Sequence, residues 1–157
     1  MSCAGSRRAL GTLALFALSA CSALEMNLPP DFLQLQTGGF ELKAITPDDG
    51  RLWVREFQDR DQGSLRFWAS SLKVDLEENR GYSPVEESEI RDDHGREGIQ
   101  MQFAVTTEGE PHGYLVALFV FEGSSTNTIR IAEFVAPRTV FEQQLEGVEA
   151  ALVTIQP

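Results

Sequence analysis

The chain has 157 residues, with 24 acidic against 13 basic side chains and a net charge of −11 at pH 7. That length supports one domain with a sizeable core and is short for two. The acidic balance excludes binding to nucleic acid, or to an anionic bilayer, by general electrostatic attraction.

The first twenty residues read as a leader. Arg7 and Arg8 form a positive start, and Ala9 to Ala20 form a mostly apolar run. A run of about a dozen residues matches the apolar part of a secretory signal and falls short of the roughly 20 needed to span a bilayer. It closes on Leu18-Ser19-Ala20-Cys21. This tetrapeptide resembles the lipobox of bacterial lipoproteins, with Leu first, two small residues, then Cys. The resemblance implies removal of residues 1–20 after Ala20, a diacylglyceryl group on the Cys21 sulfur, and acylation of the new N-terminus, for example by palmitate. Two or more acyl chains make a durable anchor where a single one is marginal. Ser22 follows the cysteine where an Asp would favour inner-membrane retention, so the implied address is the outer membrane facing the periplasm. Ser6-Arg7-Arg8-Ala9-Leu10 also resembles, in part, a twin-arginine signal; an ordinary secretory leader with a chance cysteine is the alternative.

Arg7 and Arg8 are the only charged side chains of residues 1–20, so their removal takes the net charge from −11 to −13. Cys3 would leave with the leader and Cys21 would carry lipid, so the remaining chain has no free thiol for a disulfide, a zinc site or a nucleophile. Burial of apolar surface must then stabilise the fold without disulfides.

Residues 21–38 read as the lipidated cysteine and a short tether, stiffened by Pro29-Pro30, with a brief apolar patch at 31–36. The globular domain is expected over 39–157. Phe40, Leu42 and Ala44 alternate with Glu41 and Lys43; after the turn Pro47-Asp48-Asp49-Gly50, Leu52, Val54 and Glu56 alternate with Trp53, Arg55 and Phe57. This period of two predicts a β-hairpin over 39–46 and 51–58. Leu65, Trp68, Leu72 and Leu76 then share one helical face, with Asp61 or Ser64 able to cap the start and Gly81 placed as a left-handed stop. A helix is expected over 62–80.

Four strands follow. Val85 to Arg91 is an acidic edge strand. Ile99, Met101, Phe103 and Val105 alternate, and Tyr114 to Phe121 is nearly all apolar, as expected of a strand covered on both faces. Ile129, Ile131 and Glu133 alternate with Arg130, Ala132 and Phe134. Pro137 opens a second helix whose apolar face carries Val140, Phe141, Leu145, Val148 and Leu152.

The order ββαββββα, with short loops between the last four strands, predicts an α+β fold: an α/β/α sandwich of a mostly antiparallel sheet with a helix on each face. Over roughly residues 39–156 this order resembles the PsbP-like fold of photosystem extrinsic subunits, Mog-type Ran-binding proteins and DcrB-type lipoproteins. The opening hairpin, the helix ending Leu72-Lys73-Val74-Asp75-Leu76, the strand Tyr114–Phe121 and the close Leu152-Val153-Thr154-Ile155 carry the resemblance. It implies a non-catalytic binding or assembly role.

Candidate chemistry is sparse. Asp92, Asp93, His94 and Glu97 crowd one turn and would suit a hard cation such as Ca²⁺. Glu108, Glu110 and His112 crowd another, but the strand between them sets the two turns roughly 26 Å apart. The sequence lacks a nucleophile elbow and a glycine-rich phosphate loop. Glu86 and Glu87, adjacent on a strand, point to opposite faces and cannot flank one bond; with Glu89 they read as a charged edge that resists sheet-to-sheet association. The expectation is a membrane-anchored, non-catalytic lipoprotein with no cofactor. It would meet the bilayer through Cys21 and a protein partner in the envelope, and no nucleic acid. The alternative is a small-ligand or divalent-cation module; a hydrolase ranks third.

Overall fold

The alternating segments pair into one antiparallel sheet. A computed structural model describes residues 24–35 and 39–155. Its strands are β1 (Leu33–Gln34), β2 (Glu41–Ile45), β3 (Arg51–Asp59), β4 (Ser83–Arg91), β5 (Glu97–Thr107), β6 (Glu110–Phe121) and β7 (Asn127–Pro137). They lie in the order β1-β2-β3-β7-β6-β5-β4. The last four strands form the expected meander, and β7 closes the sheet by pairing with β3 across the register Arg51↔Val135 to Asp59↔Asn127. Helix α1 (Leu65–Val74) continues into a π-helical turn, Asp75–Asn79, and helix α2 (Arg138–Leu152) follows β7 directly.

Each helix starts and stops for local reasons. The Ser64 hydroxyl accepts the Phe67 N–H at 3.2 Å and so caps α1. Gly81 has a φ of +70°, which a side chain would resist, and the chain reverses there into β4. Pro137 ends β7 and precedes the first turn of α2, where a missing N–H costs nothing.

The two sheet faces carry separate cores. Toward α2, Leu42, Leu52, Val54, Leu115, Phe119 and Phe134 pack beneath Phe141, Val148 and Leu152. Toward α1, Ile99, Met101, Val116, Leu118, Ile129 and Ile131 pack beneath Ala69 and Leu76. β6 supplies both layers, Leu115, Ala117 and Phe119 to one and Tyr114, Val116 and Leu118 to the other, as its unbroken apolar run predicts. The α+β sandwich with one helix per face is therefore the observed architecture.

The expected tether differs. Its described part, Leu24 to Leu35, is packed on the domain. Leu24 is only 6% exposed and belongs, with Phe32, to the α2-side core. The Leu24 N–H donates to the Gly39 carbonyl, and the Asn27 N–H to the Thr154 hydroxyl. Pro29 lies against Gly147 of α2. The physical reason is the spacing of Leu24, Met26, Leu28 and Phe32, which supplies apolar anchors that the α2 face can bury. The apolar patch at 31–36 yields β1, the edge strand, at Leu33–Gln34. The lipobox and residues 1–20 lie outside the described residues. Among the described residues no helix is long and apolar enough to cross a membrane.

Candidate functional site

α1 sits over β5 and β6, and the core beneath it draws on β5, β6 and β7. On that side Phe57 at the far end of β3 meets Trp68 of α1, while β2 and the first half of β3 are left without a helix. An open groove of about 550 Å³ results, lined by Leu35, Lys43, Ile45, Trp53, Tyr114, Glu133 and Val135, among others. The alternation of each strand puts these side chains on one face. Lys43 pairs with Trp53 and Trp53 with Glu133, so three strands contribute to a single rung. The next rung runs Ile45, Arg51, Val135, Tyr114.

The polar groups of the groove are engaged with one another. Glu133, its side chain 11% exposed, accepts a hydrogen bond from Arg55 Nη2 at 2.7 Å and another from the Tyr114 hydroxyl. Burial, and then the negative charge of Glu133, push the Tyr114 phenol far above its ordinary value, so Tyr114 remains a donor throughout the accessible pH range. The Arg55 guanidinium lies 4.3 Å, and the Lys43 ammonium 4.9 Å, from the centroid of the Trp53 ring. Two cations therefore hold the indole in place. Lys43 also binds Glu41 at 2.8 Å and holds that carboxyl below the usual carboxylate range. The Trp53 indole N–H comes near Glu41 but completes no hydrogen bond of normal geometry. The result is an aromatic floor, apolar walls and two unspent donors, Trp53 Nε1 and Arg55 Nε.

The acidic turn behaves differently. Asp92 is buried, and its Oδ1 accepts the N–H groups of His94 at 2.9 Å and Arg96 at 2.8 Å. Asp93 donates its N–H to the Val153 carbonyl, which pins the turn to the end of α2. Glu97 pairs with Arg91 at 2.7 Å. Asp92 and Glu97 are thus occupied in holding the β4–β5 turn, and the structure does not converge the four predicted side chains on one point. Among the described residues no three His, Cys, Asp or Glu side chains do so. His112 lies on β6, opposite Val105 near the far end of β5, its ring nitrogen 3.0 Å from the Glu110 carbonyl. On the edge strand, Glu87 and Glu89 reach Lys73 and Arg66 of α1, both at 2.7 Å, so part of the acidic edge also ties the helix down. Cys21 lies outside the described residues.

Sequence reasoning missed the groove. Its one available signal was Glu133, a carboxylate in the otherwise apolar row Ile129, Ile131, Glu133, beside Arg55 and Trp53 in the row of a neighbouring strand.

No protein-family model and no curated protein matches the chain. Solved structures do resemble it. One is LpqN, involved in cell envelope biogenesis of Mycobacterium tuberculosis, with a TM-score of 0.69 at 13% identity over 85% of this chain and 83% of that one. The Saccharomyces cerevisiae Ran-binding protein Mog1p matches at 0.58 and 12% identity over 88% and 92%. A Pseudomonas aeruginosa protein of unknown function, a putative regulator, matches at 0.53 and 15% over 88% and 87%. At these identities the likeness is one of fold.

Proposed function

We propose that this chain is an envelope lipoprotein, acylated at Cys21 and most at home on the outer membrane facing the periplasm, whose domain binds a protein partner through the α1-side groove without catalysing a reaction. The observation that carries the binding reading is the groove floor. Trp53 is fixed between Lys43 and Arg55, and rigid, partly buried Trp flanked by Arg is the residue pattern that dominates binding energy at protein interfaces. The observation that supports a non-catalytic role is that the Glu133 carboxylate is taken up by Arg55 Nη2 and the Tyr114 hydroxyl. The envelope role of LpqN and the Ran binding of Mog1p, on the same fold, are in keeping with it.

Crosslinking and recovery of the full chain from native membranes tests this. Wild type should retain a stoichiometric protein, and Trp53→Ala should lose it, with a loss of at least about 2 kcal/mol, or roughly 30-fold in affinity. Recovery of no partner by wild type would defeat the reading. The volume of the groove also lies within the range of small-molecule sites, which favours a small apolar ligand as the second reading. A thermal shift with a ligand library that Trp53→Ala abolishes would select it.

A further inference from the structure

The two edges of the sheet are protected in different ways. β4 carries Glu86, Glu87, Glu89 and Arg91 along its length, and an edge so charged resists association. At the other edge, Phe32-Leu33-Gln34-Leu35 carries no charge. Phe40 is 70% and Leu33 65% exposed, with Ile45 and Leu35 also exposed beside them. An uncharged edge with bare apolar side chains is a liability unless something covers it.

The chain's own entry point indicates what covers it. Leu24 is fixed in the core and its N–H is bonded to the Gly39 carbonyl, next to Phe40. Cys21 precedes Leu24 by three residues, and three residues reach at most about 11 Å. A lipid on Cys21 therefore brings the bilayer surface to within that distance of the Phe40 end of β2. From there the edge to Leu33, which pairs with Ile45, is one five-residue strand, about 16 Å long. We infer that the β1–β2 edge, from Phe40 to Leu33, is the face that lies on the bilayer. The inference rests on the acylation of Cys21 proposed above. The acyl chains supply the anchor, and Phe40 and Leu33 enter the interface and set the orientation. The acidic surface contributes no net attraction to anionic lipid, and the charged groups along β2, Glu41 and Lys43, pair with each other at 2.8 Å, so the contact is chiefly apolar. The groove, whose wall includes Ile45 and Leu35, then opens beside the membrane.

The test uses the full chain, processed in a bacterial host and reconstituted into phosphatidylethanolamine–phosphatidylglycerol vesicles. Phe40→Cys, Leu33→Cys and Glu86→Cys are each labelled with a small fluorophore. All three positions are at the sheet edges and exposed, so the variants keep the fold. Labels at 40 and 33 should be quenched by brominated lipid and should resist aqueous iodide several-fold better than the label at 86. If the mass shows an acylated Cys21 and the protein floats with the vesicles, yet 40 and 33 are as open to iodide as 86, the membrane face is refuted and the anchor stands. If Cys21 carries no lipid and the protein does not float, the anchor reading falls and this inference falls with it. If photocrosslinkers at 40 and 33 in native membranes capture a protein in place of lipid, the edge belongs to a partner and the inference is overturned.

Discussion

Two ion pairs join β3 to β7, one on each face of the sheet. Arg55 meets Glu133 on the α1 side, and Glu56 meets Arg130 on the α2 side at 2.5 Å. Arg130 is 1% exposed, stacks its guanidinium 4.5 Å from the Phe121 ring centroid, and leaves Nε and Nη1 without a partner. Such a pair is expensive to break and cheap to replace whole. Arg130→Ala should cost about 3 kcal/mol in urea unfolding, because Glu56 is left unpaired, whereas Arg130→Met with Glu56→Leu should be near neutral. Tyr114 makes a pH prediction. Its phenol is raised above the ordinary value near 10. The unfolded chain ionises first as pH rises, so the contribution of Tyr114 is complete below about pH 10 and is lost above it. Alkaline unfolding should therefore be shallower in Tyr114→Phe than in wild type.

At the level of elements, β6 and α2 approach closely at Gly113. A Cβ on Gly113 would stand 2.2 Å from Cγ of Phe141, and Phe141 in turn stacks on Phe134 at 5.4 Å. Gly113→Ala should destabilise the domain by about 2 kcal/mol through overpacking, visible as a lower midpoint in urea with an unchanged slope. The other helix is held at its start by Asp59. This carboxylate accepts the Trp68 indole N–H at 2.9 Å and the Gly63 N–H at 2.7 Å. The bond from Trp68, then those from the backbone, hold its pKa below the ordinary value. That contribution is present above pH 4 and is lost as pH falls through the lowered value, so Asp59→Asn should reduce the melting temperature at pH 7 more than at pH 2.

For the whole molecule, Ser22 and Ala23 separate Cys21 in sequence from Leu24, the first described residue, which is buried. With Cys21 acylated as proposed, two intervening residues would hold the domain close against the bilayer. On the proposed acylation, Cys21→Ser should shift the protein from the membrane to the soluble fraction without changing its melting temperature. Fractionation and thermal unfolding of the two forms check both halves of that statement.

The class of the fold was legible because it depends on local patterns. Residues 40–44 and 52–57 alternate with period two, Leu65 to Leu76 repeat with helical period, and Tyr114 to Phe121 are apolar on both sides; each pattern dictates which face an element must bury. The lipobox reading also belongs to sequence alone. What tertiary structure decided was lateral placement. An amphipathic helix must cover a sheet, but nothing in its own residues says which strands. Only the seating of α1 over β5 and β6 leaves Trp53, Glu133 and Tyr114 in an open groove. In the same way Arg55 and Glu133 stand 78 positions apart, and they meet because β7 closes against β3. That pairing is non-local, set by the competition of whole strands for neighbours, and no short window of sequence contains it.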